Sequence, residues 1–119
     1  VPRTAEDILP KIDDYIVYEV DQQIQGCGAL HILREGFAEL AAIAVEKEAA
    51  SKGAGSRIVK TLLTRAKLAG VKKVYLLTTQ ASDWFLQLGF KFGSVSDLPE
   101  SAQTRYNKQR NSKVMILEF

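Results

Sequence analysis

One cysteine, one methionine, one tryptophan, one histidine and three prolines in 119 residues put several protein classes out of reach. A lone Cys27 builds no internal disulfide framework, and Cys27 with His31 offers too few ligands for a His/Cys zinc site, so no metal is expected. No apolar run approaches the roughly 18 to 20 residues of a membrane span. Val1-Pro2-Arg3-Thr4 lacks the charged-then-apolar pattern of a signal peptide. Charge of one sign is also scarce. Sixteen Lys+Arg against fourteen Asp+Glu leave only +2, no basis for wrapping nucleic acid or for a polybasic membrane anchor. A cytoplasmic protein with neither nucleic acid nor membrane as partner is therefore expected. With 46% hydrophobic and 25% charged residues the chain should fold. At about 150 residues per domain, residues 1–119 make one domain. Val1 in place of Met leaves open whether the chain is part of something longer.

Thr4 followed by Ala5-Glu6-Asp7 reads as the N-cap and acidic first turn of a short helix limited by Pro10. Residues 15–20, rich in β-branched and aromatic side chains, form a hairpin with residues 24–33 across Asp21-Gln22-Gln23. The run Phe37-Ala38-Glu39-Leu40-Ala41-Ala42-Ile43-Ala44-Val45 reads as a central strand buried on both faces. After a polar, glycine-containing stretch over 46–55, Ile58, Val59, Leu62, Leu63, Ala66 and Ala69 share one helical face that stops at Gly70. Residues 73–79 return as a strand, which makes a crossover between parallel neighbours. A short helix over 82–88 ends at Gly89. A strand at 90–92, a polar helical or loop segment over 98–111 and a strand over 112–119 follow. The fold class is α/β (α+β): a mixed, mostly antiparallel central sheet with one parallel pair and flanking helices.

The loop Ala50-Ser51-Lys52-Gly53-Ala54-Gly55-Ser56 precedes a long helix and follows a buried strand. Glycines there allow close approach, and the first helical turn offers unpaired N–H groups and the positive dipole end, a geometry that binds pyrophosphate. An ordinary strand-to-helix loop accounts for the same residues. No Walker pattern is present, and Ile58 stands where a dinucleotide fingerprint needs its third glycine. Glu39 is an isolated acid in an apolar run. Strict alternation puts it on one face with Phe37, Ala41 and Ile43, where it serves as a general base or faces solvent at a strand end. Between Arg105 and Lys113 lie four cations and no acid, a grip for carboxylates or a solvated surface. Cys27 reads as a small core residue and His31 as a sheet-surface residue. Tyr15 and Tyr18 point to opposite faces of their strand.

The series E-L-A-A-I-A-V, then K-G-A-G-S, then V-Y-L-L-T-T-Q-A-S-D-W-F-L-Q-L-G-F resembles the GNAT superfamily of acetyl-CoA-dependent N-acetyltransferases. Within it, L-T-T-x-x-x-x-W-F-x-x-x-G-F followed by D-L-P-E-S and Y-N-x-Q-R-N-S-K is similar to the acetyltransferase domain of the N-acetylglutamate synthases, over essentially the whole chain. The resemblance implies a sheet whose parallel strands splay, with the family's first strand and helix absent. Acetyl-CoA is the implied cosubstrate, and direct acetyl transfer to the α-amine of L-glutamate is the implied reaction. Backbone N–H groups of Lys52, Gly53, Ala54, Gly55 and Ser56 would hold the pyrophosphate, and Ile43, Ala44 and Val45 the amide arm. Of Trp84 and Phe85, one packs in the core and the other borders the slot. Arg110 and Ser112 match the family's R-x-S and, with Arg3, would bind the substrate carboxylates; the cofactor's 3′-phosphate is the alternative for the basic run. Glu39 would be the base. Where many members carry a general-acid tyrosine this chain has Phe85, so Thr78, Ser82 and Tyr106 are the candidate donors to the leaving thiolate. Ala50 replaces the Gln or Arg that opens the superfamily's loop pattern. These departures keep two alternatives in view: a different amine acceptor, or a non-catalytic acetyl-CoA-binding regulatory module. A missing edge strand would leave apolar surface open to a partner chain, so a homodimer is one reading.

Overall fold

The computed structural model describes residues 14–33, 36–109 and 111–119, with the backbone alone for 104, 105 and 107–109. The expected helix from Thr4 lies outside the described residues, as do Arg3 and Arg110. The strands are β1 (Tyr15–Val20), β2 (Gln23–Ile32), β3 (Phe37–Val45), β4 (Lys73–Thr78), β5 (Lys91–Gly93) and β6 (Lys113–Glu118). They form one sheet in the order β1-β2-β3-β4-β6-β5. Among the described residues only the β3–β4 pair is parallel. The helices are α1 (Lys47–Ser51), α2 (Ala54–Leu68), α3 (Ser82–Gln87) and α4 (Glu100–Gln109).

Local chemistry sets most boundaries. The β1–β2 hairpin turns on Asp21 and Gln22, both at positive φ, +51° and +67°, the backbone pattern whose twist matches two antiparallel strands. Helices α2 and α3 stop in the same way. Val71 N–H reaches Ala66 O and Gly70 N–H reaches Lys67 O, while Phe90 N–H reaches Phe85 O and Gly89 N–H reaches Leu86 O. Both are Schellman closures, with a glycine at positive φ in the C′ position.

Two apolar layers sandwich the sheet. On one face α2 lays Ile58, Val59, Leu62 and Ala66 against Leu30, Ala38 and Leu40, with Phe85 and Phe90 completing the cluster. Burial of each large side chain there contributes about 2 kcal/mol. On the other face Leu98 and Ala102 pack on Tyr75 and Val114, with Phe37, Leu77 and Tyr106 around them.

The expected polar stretch over 46–55 differs from what forms. It contains α1, and α2 begins at Ala54 rather than near Ile58, so Ala50 and Ser51 are helical and Ser56 lies in the first turn of α2. The central strand also departs from expectation. Ala38 and Leu40 are buried, but Ala42 and Ala44 are exposed, because the second half of β3 runs beside a cleft.

Candidate active site

The cleft arises where the parallel strands part. Pairing between β3 and β4 covers only Phe37 with Lys73, Ala38 with Val74 and Glu39 with Tyr75. On its other side β4 stays paired with β6 along all six residues. Beyond Glu39 and Tyr75 the facing edges of β3 and β4 therefore carry backbone N–H and C=O groups that do not pair with each other. The gap is a cavity of about 300 Å³, walled by Leu40, Ala41 and Ile43 on one side and by Leu76, Leu77 and Thr78 on the other. Trp84 and Phe85 of α3 close its flank. A larger hollow of about 440 Å³, bordered by Lys73, Lys91 and Glu118, lies at the opposite end of the sheet, away from this parting.

A β-bulge shapes the β3 wall. The β2–β3 register shifts between Cys27, opposite Ala44, and Ala29, opposite Ala41. Ala42 absorbs the extra residue at φ +57°. One inserted residue reverses the side-chain phase beyond it. Ile43 and Val45 consequently join the α2 face, whereas Phe37 belongs to the opposite one. This corrects the expectation from strict alternation that Ile43 shares the face of Glu39. Cys27 sits behind the bulge and donates from Sγ to Ala42 O at 3.4 Å.

At the mouth of the gap stands the N-terminus of α2. Gly53 occupies the N-cap at φ 85°, and no side chain caps the helix. The first intrahelical bond runs from Arg57 N–H to Gly53 O, so the N–H groups of Ala54, Gly55 and Ser56 precede the hydrogen-bonded ladder. No acid occupies this turn to compete for them. Gly55 is a point of close approach: a Cβ there would lie 3.1 Å from Trp84 Cζ2 and 3.7 Å from Val45 Cγ2. The glycine thus lets the helix tip press against the wall of the cavity. An uncapped helix start beside a slot with unsatisfied strand edges suits an anionic head with an extended amide-bearing arm.

The other expected site residues divide. Thr78 lines the cavity, and its Oγ1 accepts from Ala81 N–H at 3.0 Å, which leaves its own hydrogen to donate. Ser82 begins α3 and is not among the residues that line the cavity. Tyr106 packs on the far face of the sheet, and its hydroxyl donates to Ser112 O at 2.7 Å. Phe85 is buried against Phe90 and Trp84, with ring centroids 5.6 and 4.8 Å away, so of the two aromatics Trp84 is the one less enclosed. Glu39 stands on the last paired rung, at the apex of the gap. Ala44 is exposed, and the amides of Lys52 and Gly53, expected to hold a pyrophosphate, instead donate to Ala49 O and Ala50 O at the end of α1, both at 3.1 Å. Lys113, the described end of the basic run, has its ammonium 5.7 Å from the centre of the Phe92 ring. Among the described residues no group of three or more His, Cys, Asp or Glu side chains is placed to hold a metal ion. No helix among them is long and apolar enough to cross a membrane.

A mixed sheet parted at the parallel pair, with an uncapped helix start beside the opening, defines an α/β class with a slot suited to an anionic ligand with an extended arm. The profile of the Acetyltransferase (GNAT) family matches residues 3–90, and the chain belongs to that family. An amino-acid acetyltransferase from Aeromonas salmonicida is 37% identical over 97% of the chain. One from Ralstonia nicotianae is 38% identical over 98%. The chain spans about a quarter of the length of either relative. The N-acetylglutamate synthase of Neisseria gonorrhoeae, solved with coenzyme A and N-acetyl-glutamate, superposes at a TM-score of 0.92 with 28% identity, over 99% of this chain and 28% of that one.

Proposed function

We propose that this chain is the acetyl-transfer unit of a cytoplasmic N-acetylglutamate synthase, moving acetyl from acetyl-CoA to the α-amine of L-glutamate. The observation that carries the reading is the gap between β3 and β4, with the free amides of α2 at its mouth and a carboxylate at its apex. The likeness to the synthase solved with coenzyme A and N-acetyl-glutamate supports it.

The residues present fit the cosubstrate. Amides of Ala54, Gly55 and Ser56 would hold its pyrophosphate, and the edge of β3 past Glu39, not paired with β4, would offer hydrogen bonds to its amide arm. Bound acetyl-CoA supplies the activated acyl group. A β3 amide would be the donor that stabilises the charge gathering on the acyl oxygen in the transition state, a contribution of about 3 kcal/mol for such a donor. An α-amine is largely protonated at neutral pH, so Glu39 has a proton to remove before attack. Thr78 is the donor we assign to the departing thiolate, a reading supported by its place in the cavity lining and by a hydroxyl that only accepts from Ala81 N–H. Tyr106 spends its hydrogen on Ser112 O, which argues against it as donor.

The test is turnover of purified protein with acetyl-CoA across the common amino acids, with calorimetry of coenzyme A binding. Glutamate is expected as the preferred acceptor. Glu39→Gln should lower kcat by about 10²-fold or more while coenzyme A affinity holds. Coenzyme A binding without turnover of any amino acid would refute the proposal.

A further inference from the structure

Across the strands from Glu39 stands the chain's single histidine. His31 and Glu39 are directly opposed in the antiparallel β2–β3 register, and such pairs carry Cβ atoms about 5 Å apart on one face of a sheet. On the β1 flank, His31 Nδ1 lies 2.7 Å from Asp14 Oδ2. An ionised carboxylate only accepts hydrogen bonds, so Nδ1 carries the hydrogen. The Tyr15 ring meets the imidazole edge-on at 6.0 Å, and the His31 side chain is only 17% exposed. The ring is held from the β1 side, and Nε2, on the far side of the ring from Asp14, keeps its lone pair. Asp14, just before β1, His31 on β2 and Glu39 on β3 thus stand side by side across the sheet, with Glu39 at the apex of the gap.

We propose that His31, aligned by Asp14, is a positioning residue that acts through Glu39, accepting at Nε2 the proton that Glu39 takes from the acceptor amine. The ammonium N–H breaks as the Glu39 O–H forms, and that O–H breaks as Nε2–H forms. Nδ1–H stays with Asp14, and the imidazolium then gives a proton to water. Glu39 regains its charge before the next amine arrives. The inference rests on the reading of Glu39 as the base.

Because the chain has one histidine, NMR of the ¹⁵N-labelled protein reads this ring alone. The neutral ring is expected as the Nδ1–H tautomer, with Asp14→Ala shifting it toward Nε2–H and Glu39→Gln moving the Nε2 resonance. An Nε2–H ring in the parent, or an Nε2 resonance indifferent to Glu39→Gln, would overturn the proposal whether or not the protein turns over. In kinetics, His31→Gln is expected to lower kcat about tenfold with the KM for acetyl-CoA unchanged, and to add nothing in a Glu39→Gln background. Asp14→Ala, which leaves the imidazole in place, should lower kcat in the same direction by a smaller factor. Parent kcat in His31→Gln, or equal losses in both backgrounds, would overturn it. A parent that acetylates no amine fails the functional reading instead, and the resonance test then decides the row.

Discussion

Gly28→Ala tests the bulge that shapes the β3 wall. A Cβ at residue 28 would lie 2.7 Å from both Ile43 Cδ1 and Ile58 Cγ2, and 3.0 Å from Leu62 Cδ1. Carbon atoms pack best at about 3.5–4.0 Å, so these neighbours must retreat by about 1 Å. Overpacking of this kind costs about 1–3 kcal/mol. Replacing a strand glycine returns about 0.5–1 kcal/mol in chain entropy, so the clash wins. A net loss of about 1–2 kcal/mol is expected, which lowers the melting temperature of a chain this size by about 4–8 °C. Ile43→Val removes the clashing Cδ1. Alone it should cost about 1 kcal/mol, but in the G28A background it should cost nothing or recover stability. Urea unfolding of the four proteins gives the coupling directly. Additivity to within about 0.5 kcal/mol would show that Ile43 is not beside Gly28, and the phase reversal at Ala42 would be wrong.

Gly55→Ala places a Cβ 3.1 and 3.3 Å from two Trp84 ring atoms, a conflict the ring can relieve by a small shift toward the cavity. Fold stability should change by less than about 1 kcal/mol, because alanine is the better helix former. Coenzyme A affinity by calorimetry should fall about tenfold as the amide cradle moves, and an unchanged Kd would refute the role given to that turn. Ser94 N–H and the Ser94 hydroxyl both donate to Asp97 Oδ2, at 2.8 and 3.1 Å, and hold its carboxyl below its ordinary value of 3.8. A value lowered by folding adds stability that is complete above the unfolded value and disappears as pH falls through the lowered one. Asp97→Asn should therefore flatten the stability curve below about pH 4, as followed by acid titration of urea midpoints; identical acid limbs would contradict this.

Much of the fold was legible because long signals are robust. The apolar run from Phe37 to Val45 gave β3 its bounds, the face Ile58–Val59–Leu62–Ala66 gave α2, and Gly70 and Gly89 marked both helix stops. Short or non-local features were not. Helix α1 has five residues and starts after Glu46, whose side chain makes no cap, so neither periodicity nor a start signal reveals it. The bulge left one visible trace, the odd spacing of Leu40, Ile43 and Val45, which alternation alone cannot place on one face. The pairing of Asp14 with His31 joins residues seventeen apart through a hairpin register that composition does not encode. The parting of β3 from β4 came from family resemblance and not from residue pattern, since Leu40–Val45 and Leu76–Thr78 would serve equally well as paired strands. Of the expected carboxylate-binding residues, only Ser112 lies within the described chain, and its carbonyl accepts from Tyr106.

Three rungs between Phe37–Glu39 and Lys73–Tyr75 are a short seam between two stiff leaves, β1-β2-β3 and β4-β6-β5. A guest lying in the gap with hydrogen bonds to both margins would continue the stitching where the backbone leaves off. Occupancy and cohesion then become one event: amides along the inner margins of both leaves would gain protection from exchange together when the slot fills, and lose it together when the spent carrier departs.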